Sequence, residues 1–518
     1  MTSEPDALAR PEIVVGLVGA LGTDLAKVEK SLTNALLSVA YSCRIVHVSD
    51  RIRSAVKELD IPEPPSVETP LDHLMNLGDL LRSRHSNGAV AAAVAISAIS
   101  DQRYGELGNP PGASRERSAV ATIVNQLKHP DEVRLLRSVY GARFIMLGAW
   151  SPKEERSIAT ARRLRRMVPN KDQSWYDQQV PRLMGRDEKD GTHPLGQRVR
   201  DTFELADAYI SLRAGHSIDA EVARIVRLLF GAPFETPTRD EQAMFQAYGA
   251  RLRSSAGGRQ VGAVVVDDDG ELLVSGTNDV PKAGGGQYWA GDQPDHRDFQ
   301  AGVDFNDQEK LQVVSDLFER LKMADGWLGD ELRKLDSPEL AARALAPDGP
   351  FSKSRVADLL EFGRILHAEM ALICTAARRG TSLAGATMYT TTYPCHECAR
   401  LIIGSGIRRV VYVDPYPKSL VPRMYGTEVV DGAPGDSKVG FEAFAGIAPR
   451  LFPNVFAMVG RDRDDVTGQY VPWVPAEAQP RLVTDAVLRF SIQTAEDEVT
   501  TRLDDDTHPG ASAGDVEH

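Results

Sequence analysis

Two short motifs bring together the residue types that hold a transition metal. His367 and Glu369 form a His-x-Glu pair in a segment, residues 361–377, whose apolar residues recur at helical spacing. Cys395 and Cys398 form a Cys-x-x-Cys pair directly before a second apolar helical segment. One imidazole and two thiolates make a three-ligand zinc site whose fourth tetrahedral position stays open to water. The sequence therefore predicts Zn²⁺ as the cofactor, with His367, Cys395 and Cys398 as its ligands.

An open position on zinc indicates catalysis, because the metal lowers the pKa of a bound water. Glu369 follows His367 by two residues near the predicted helix start, so it reaches past the metal instead of binding it. A carboxylate in that place can take a proton from the water and return it to the substrate. We therefore predict Glu369 as the catalytic residue.

Two other types of protein also contain a Cys-x-x-Cys pair: zinc ribbons and redox proteins. A ribbon needs a second cysteine pair, but the remaining cysteines, Cys43 and Cys374, lie far apart in the sequence. His396 lies between the two motif cysteines, and we expect it to point outward. The order His-x-Glu, apparent strand, Cys-x-x-Cys favours the catalytic site over both alternatives.

The elements before these motifs alternate between strands and helices, which indicates an α/β fold with a parallel sheet covered on both faces. An apolar strand at residues 13–18 leads through a glycine-rich turn into a helix. Phosphates bind at such turns, but the phosphate-loop pattern needs a lysine where this chain has Thr23 and Asp24. A degenerate phosphate loop is therefore predicted. Its residues are Gly16, Gly19, Gly22 and Thr23.

Further elements follow from composition. The apolar run at residues 89–99 is predicted to be a buried strand, and residues 261–276 a β-hairpin. Pro237 marks a boundary, with Thr238 or Asp240 as the cap of the next helix. We expect three regions: an amino-terminal domain at 1–235, a second domain at 236–480 and an acidic, largely disordered tail at 481–518.

The whole-chain composition limits the function. The net charge is −13 and only 6% of the residues are aromatic, which is unlike a protein that grips long nucleic acids. Four cysteines in 518 residues cannot form a disulfide scaffold, and no apolar run is long enough to span a bilayer. The amino-terminal residues lack the pattern of a signal peptide. We expect a cytoplasmic protein without membrane association.

Residues 260–417 resemble the deoxycytidylate deaminase branch of the cytidine deaminase superfamily. The resemblance is carried by Val261-Gly262-Ala263-Val264, by the two metal motifs and by the strand at residues 407–412. It implies a cytidine-deaminase-like α/β/α domain with zinc between two helix starts. It also implies that Asn278 contacts the sugar of a deoxycytidine nucleotide, and we favour this role over that of an asparagine that only serves a turn.

Nearly the whole chain except the tail resembles the bacterial anti-phage dCTP deaminases. Residues 276–286, residues 414–419 and the degenerate amino-terminal loop carry this resemblance. It implies a P-loop kinase-like domain fused to a zinc deaminase that converts dCTP to dUTP. The Arg-rich segment at residues 156–166 lies where such kinases have a lid, but a solvated helix face is the simpler interpretation.

Several loop residues are candidates for substrate binding. Lys282, Lys418 and Ser419 can donate hydrogen bonds to phosphates, and Tyr416 can stack on the base. Each of them fits an ordinary loop equally well. The insertion at residues 291–351 either covers the pocket or forms an oligomer contact, and its sequence does not distinguish these roles.

Alternative functions remain open at this point. They are a dCMP deaminase of pyrimidine metabolism, a nucleic-acid cytosine deaminase, and a binding protein that senses a nucleotide or RNA. As partners we expect a deoxycytidine nucleotide and further copies of the chain. The resemblance adds a nucleotide effector or an inhibitory small RNA.

Overall fold

The computed structural model forms two compact units, residues 1–245 with 443–518, and residues 246–442. The predicted domains differ from this division, because residues 443–480 belong to the first unit and not to the second. The reason is that a short strand at Gly446–Ile447 pairs with a strand of the first sheet. The structure describes residues 10–59, 68–107, 118–191, 193–359, 361–415, 419–458, 463, 464, 466–483 and 492–507.

The first unit begins with five strands that are parallel to their neighbours in one sheet, as the sequence predicts. The strands are β1 (Ile13–Gly19), β2 (Ser42–His47), β3 (Val120–Asn125), β4 (Phe144–Trp150) and β5 (Ala208–Ser211). The helices are α1 (Leu25–Ser38), α2 (Val48–Glu58), α3 (Pro70–Arg84), α4 (Val90–Leu107), α5 (Pro130–Tyr140), α6 (Lys153–Met167), α7 (Gln173–Glu188), α8 (Val199–Phe203), α9 (Ile218–Leu229) and α10 (Arg239–Arg251).

The second unit contains a mixed sheet of six strands, of which β8 and β9 are parallel and β6 is antiparallel to both β7 and β8. The strands are β6 (Gly262–Val266), β7 (Leu272–Thr277), β8 (Thr387–Thr392), β9 (Arg409–Asp414), β10 (Val429–Asp431) and β11 (Val439–Ala443). The helices are α11 (Asp298–Ala301), α12 (Phe305–Met323), α13 (Asp330–Arg333), α14 (Ser337–Leu345), α15 (Ala368–Arg379), α16 (His396–Gly404) and α17 (Val421–Met424).

The chain then returns to the first unit. Strand β12 (Gly446–Ile447) pairs antiparallel with β5, which gives the first sheet the order β12-β5-β4-β1-β3-β2. Helices α18 (Phe452–Phe456) and α19 (Ile492–Thr507) follow. Ile447 joins the hydrophobic core that β1 shares with α1 and α9. The predicted α/β class is confirmed, while the P-loop kinase-like character of the first unit stays a prediction.

Two sequence predictions about turns and caps are confirmed. Strands β6 and β7 form the predicted hairpin. Helix α10 has the predicted cap at Thr238, whose hydroxyl accepts from the Glu241 N–H while the Glu241 carboxylate accepts from the Thr238 N–H. This reciprocal pair is a capping box. The unit boundary nevertheless falls within α10 and not at the residues before it.

The predicted strand at residues 89–99 is wrong, because residues 90–99 lie in helix α4. Almost every side chain of the run is buried, so no polar face marks a helical period. A short apolar run of this kind is compatible with a buried strand or a buried helix. Its alanines, which have the highest helix propensity, favour the helix.

The predicted disordered tail is also wrong in part, because α19 lies within it. Glu496 of α19 is fully buried and accepts hydrogen bonds from the Tyr140 hydroxyl and from Arg103. Arg103 is also paired with Glu12 at 3.1 Å. Part of the acidic excess of the tail therefore neutralises a buried arginine. Among the described residues, no helix is long and apolar enough to cross a membrane.

The insertion at residues 291–351 contains helices α11 to α14. Helices α12 and α14 pack against each other through their own small hydrophobic core. Val314 of α12 and Leu340 and Ala341 of α14 are buried in it. The insertion therefore has local packing of its own within the second unit.

Candidate functional site

His367 is the residue that caps the amino terminus of α15. The residue before it, Leu366, forms an antiparallel bridge with Asp279, in which each backbone N–H donates to the other residue's C=O. These bonds keep residue 366 extended, so the helix begins at Ala368 and not near residue 361 as its apolar spacing suggests. The bridge fixes the imidazole at the helix start.

Cys395 and Cys398 lie at the start of α16, as the sequence predicts. Cys395 caps this helix, and its sulfur accepts from the Cys398 N–H at 3.5 Å. The segment reaches the helix from β8, which pairs with β6 on one side and β9 on the other. Helices α15 and α16 pack against each other, which brings their ligand-bearing starts together.

The three predicted ligands converge. His367 Nδ1 lies 3.3 Å from the Sγ atoms of both Cys395 and Cys398, and the three donor atoms lie within 4.8 Å of one another. Tetrahedral zinc with ordinary bond lengths places nitrogen and sulfur ligands about 3.6 Å apart. The donor set therefore fits zinc in both chemistry and spacing. Within the described part of the chain, His396 does not belong to this group.

The electrostatics of the cluster favour metal binding. Hydrogen bonding from Cys398 lowers the pKa of the Cys395 thiol to about 4, and contact with Cys395 raises the pKa of His367 to about 9. The thiolate is the form of cysteine that binds metal. A metal ion that displaces the imidazole proton therefore finds one ligand already ionised.

Glu369 is buried beside the three ligands, with 3% of its surface exposed. Burial raises the pKa of its carboxyl group. One oxygen, Oε2, lies 3.4 Å from Cys398 Sγ, and the other, Oε1, lies 3.4 Å from Thr390 Oγ1. A carboxyl group with a raised pKa next to a metal position is suited to accept and release protons.

Thr390 is a site residue that the sequence analysis missed. Its side chain is fully buried on β8, and its hydroxyl also donates to the Thr392 carbonyl at 3.1 Å. The hydroxyl thus holds one face of the Glu369 carboxyl group. The only signal in the sequence is the inward register of this position in the strand, which every second residue shares.

The side-chain amide of Asn278 forms hydrogen bonds with the backbone. Its Oδ1 accepts from the Val261 N–H at 2.6 Å, and its Nδ2 donates to the Arg259 carbonyl at 2.8 Å. These bonds tie the segment before β6 to the end of β7. A sugar contact by Asn278 stays a prediction beside this structural role.

The other residues predicted to bind the substrate are Ser419, Lys282, Tyr416 and Lys418. Ser419 donates to the Pro394 carbonyl at 2.8 Å, next to the predicted metal ligand Cys395. Lys282 is paired with Asp292 at 2.9 Å, which partly neutralises it. Tyr416 and Lys418 lie outside the described residues. Their roles in substrate binding stay predictions.

The turn that follows Lys282 packs far from the metal ligands along α15. Its glycines, Gly284, Gly285 and Gly286, could offer backbone N–H groups to phosphates. All three have positive φ angles, and a Cβ atom on Gly285 would lie 2.7 Å from Arg378 Cδ. Arg378 is in the last turn of α15, roughly 16 Å along the helix from His367. The backbone of this turn is therefore poorly placed to bind a substrate at the zinc position.

The glycines of the predicted degenerate phosphate loop serve packing in the first unit. A Cβ atom on Gly16 would lie 2.9 Å from the Leu127 and Phe144 side chains, and one on Gly22 would lie 2.3 Å from the Arg156 carbonyl. Gly19 ends β1, and Thr23 N donates to the Ala20 carbonyl within the turn.

The Arg-rich segment forms helix α6. Its Arg156 is buried and paired with Glu188 at 3.2 Å. The other four arginines are exposed, which agrees with a solvated helix face. They are Arg162, Arg163, Arg165 and Arg166.

Comparisons with known proteins identify the region that holds this cluster. Residues 237–414 match the family described as the cytidine and deoxycytidylate deaminase zinc-binding region. The deoxycytidylate deaminase of enterobacteria phage T2 is 50% identical over 54 residues, which cover 10% of this chain and 29% of that protein. ComE operon protein 2 of Bacillus subtilis is 42% identical over 53 residues, which cover 10% of this chain and 28% of that protein.

A solved structure also aligns with the chain. The dCMP deaminase of cyanophage S-TIM5, in its apo form, aligns with a TM-score of 0.22 and 16% identity, covering 40% of this chain and 99% of that one. The chain spans less than a third of the length of the curated relatives described above. The family match confirms the predicted resemblance of this region to a zinc-binding deaminase domain, with zinc as the cofactor.

Proposed function

We propose that this chain, whose residues 237–414 match the cytidine and deoxycytidylate deaminase zinc-binding region, is a hydrolytic deaminase of free cytosine deoxynucleotides. One observation carries the proposal: His367, Cys395 and Cys398 converge on one point beside the buried carboxyl group of Glu369. Three ligands leave one tetrahedral position for water, as in catalytic zinc sites. The non-ligand glutamate next to it matches the arrangement described for zinc deaminases.

The reaction replaces the amino group on C4 of cytosine by an oxygen from water, with release of ammonia. His367, Cys395 and Cys398 would hold the zinc ion, which when bound would lower the pKa of a water at its open position. Glu369 takes one proton from the attacking water and passes it to ring nitrogen N3. It then takes the second proton from the hydroxyl group formed on C4 and passes it to the departing amino group, which leaves as ammonia. Thr390 holds the Glu369 carboxyl group in place through its hydroxyl.

For the substrate we propose dCTP, with dUTP as the product and dCTP depletion in defence against phage as its role. The resemblance of residues 276–286 and 414–419 to anti-phage dCTP deaminases supports this choice. The alternative is dCMP, because several curated relatives are named deoxycytidylate deaminases. A net charge of −13 disfavours a polynucleotide substrate.

The test is ammonia release from dCTP, dCMP, CTP and CMP by the zinc-loaded chain, compared with its Glu369→Gln variant. We expect the variant to keep its zinc and to lose activity by about 10²- to 10⁴-fold, because only the proton transfer is removed. The absence of ammonia from every cytosine nucleotide would contradict the proposed activity. Full activity in the variant would contradict the role of Glu369.

Single-stranded DNA and dCTP at equal cytosine concentration separate the two substrate classes. We expect turnover of the free nucleotide only. Preferential turnover of the DNA would replace this proposal by polynucleotide editing with the same zinc chemistry.

A further inference from the structure

The turn between β1 and α1, residues 19–24, is hydrogen-bonded to a carboxylate from another part of the same chain. A strand–turn–helix connection presents backbone N–H groups to anions. Here the Leu21 N–H donates to Asp187 Oδ2 at 2.7 Å. Asp187 lies in the last turn of α7, and it is fully buried. A carboxylate from elsewhere in the first unit therefore occupies the turn.

The same carboxylate is paired with a lysine. Asp187 Oδ1 lies 2.6 Å from Lys128 Nζ. Lys128 follows β3, which is the neighbour of β1 in the parallel sheet, so both segments leave the same edge of that sheet. A phosphate in a phosphate loop receives backbone N–H groups together with a lysine. Lys128 supplies from another segment the cation that the turn's own sequence lacks.

Residues of the turn and residues next to it also carry unused donors. A Cβ atom on Gly22 would lie 2.7 Å from Thr160 Oγ1, so that hydroxyl faces the turn. Among the described residues, Thr160 Oγ1, Thr23 Oγ1 and Arg156 Nη1 have no hydrogen-bond partner. Thr160 is 1% and Arg156 9% exposed. Buried donors are usually satisfied, so this site has more hydrogen-bonding capacity than one carboxylate uses.

We propose that residues 19–24, together with Lys128, Thr160 and Arg156, form an oxyanion site whose occupant is the Asp187 carboxylate. The ligand class that fits it is a tetrahedral oxyanion such as phosphate, whose additional oxygens match the unused donors. Because Asp187 is tethered within the same unit, its high effective concentration excludes a free phosphate. The site is closed in the natural chain and opens when the carboxylate is removed.

The experiment measures thermal unfolding of the full-length, zinc-loaded chain and its Asp187→Ala variant, in inorganic phosphate and in sodium chloride of equal ionic strength. Removing the carboxylate leaves Lys128 partly buried without its partner, so we expect the unfolding temperature to fall by about 5 °C. Phosphate restores at least half of this loss, and chloride does not. The natural chain responds equally to both salts.

Two control variants test whether the stabilisation by phosphate arises at this site. Asp177→Ala removes an exposed carboxylate from the same helix, and we expect neither a loss nor a phosphate response. Asp187→Ala combined with Lys128→Met is expected to lose the phosphate response. Equal phosphate responses in the natural chain and in Asp187→Ala would overturn the proposal, as would the lack of any response in Asp187→Ala.

If Asp187→Ala does not fold, Asp187→Asn replaces it, because the amide keeps the size of the side chain but carries no charge to pair with Lys128, which is left for phosphate. The measurement is then phosphate binding followed by ³¹P NMR. We expect Lys128-dependent line broadening in the variant and none in the natural chain. Broadening in the natural chain, or none in the variant, contradicts the proposal. Neither readout uses deamination, so a failure here leaves the proposed enzymatic function unaffected.

Discussion

The zinc cluster of the second unit and the turn between β1 and α1 of the first unit both lie at helix starts, but they differ in what occupies the ligand position. Each places polar groups at a helix start that follows a strand. In the cluster, His367, Cys395 and Cys398 converge on one point. In the turn, the chain supplies the counter-group itself, because Asp187 bonds to Leu21 and Lys128. A helix start can act as a reactive site only where no group of the chain itself occupies the position at which a ligand would bind.

A second closed set of charges in the first unit supports this contrast. Arg103 is paired with Glu12 and Glu496, and all three side chains are almost completely buried. Buried charges that satisfy one another contribute to folding and leave no site for a ligand. We therefore expect substitutions in the closed sets to change stability, and substitutions in the zinc cluster to change turnover.

The largest effect is expected for Cys398→Ala, which removes one of the converging donors. Two ligands hold zinc poorly, so zinc content should fall close to zero and deamination by at least roughly 10³-fold. Metal analysis and ammonia release measure the two changes. The exposed Cys374 provides the control, since Cys374→Ala should alter neither. A Cys398→Ala chain that retains zinc and turnover would show that Cys398 is not needed to hold the metal.

Next is Glu496→Ala, which removes the buried carboxylate that accepts hydrogen bonds from Arg103 and from the Tyr140 hydroxyl. We expect the free energy of unfolding to fall by about 3 kcal/mol, with zinc content and deamination unchanged. Denaturant unfolding measures the loss. Glu498→Ala, which removes an exposed carboxylate of the same helix, is the control and should have little effect. Equal unfolding midpoints for the two variants would show that this buried set does not stabilise the chain.

A smaller, pH-dependent effect is expected at Glu221, whose pKa burial raises to about 7. Its neighbours are the Ser211 N–H, Glu241 and Arg224. Because the unfolded pKa is about 4.3, the stability contribution is complete below that value and is lost as pH rises through 7. Glu221→Gln should therefore be more stable than the natural chain at pH 8, by about 2 kcal/mol, and similar at pH 4.

Unfolding in denaturant at pH 4, 6 and 8 tests this prediction. The difference between Glu221→Gln and the natural chain should grow steadily over this range. A constant difference would mean that Glu221 keeps an ordinary pKa, and that its burial does not oppose ionisation.

The smallest effect is expected for Thr390→Val, which removes the hydroxyl beside Glu369 while keeping the shape of the side chain. Deamination should fall about tenfold with zinc retained, because groups that orient a metal site's residues typically contribute 10- to 100-fold. Thr387→Val on the same strand is the control, as Thr387 lies at the opposite end of β8. Equal turnover in the two variants would argue against a positioning role for Thr390.

Much of the local structure could be predicted because its signals are local. The β6–β7 hairpin follows from strand composition around a turn, and the Thr238 cap from one residue before a helical pattern. Helix α4 could not be separated from a strand, because burial on all sides removes the periodicity that distinguishes them. Helix α19 was missed because its acidic composition gives no sign that Glu496 neutralises a distant arginine.

The sequence by itself determined the chemistry of the metal site. His367, Glu369, Cys395 and Cys398 are recognisable because their spacing follows from the geometry of two helix starts. Only the tertiary structure decided which residue lies beside Glu369 and which carboxylate occupies the turn between β1 and α1. Thr390 lies 21 residues from Glu369, and Asp187 lies 166 residues from Leu21. Such pairs depend on how strands and helices pack, which no short-range pattern in the chain encodes.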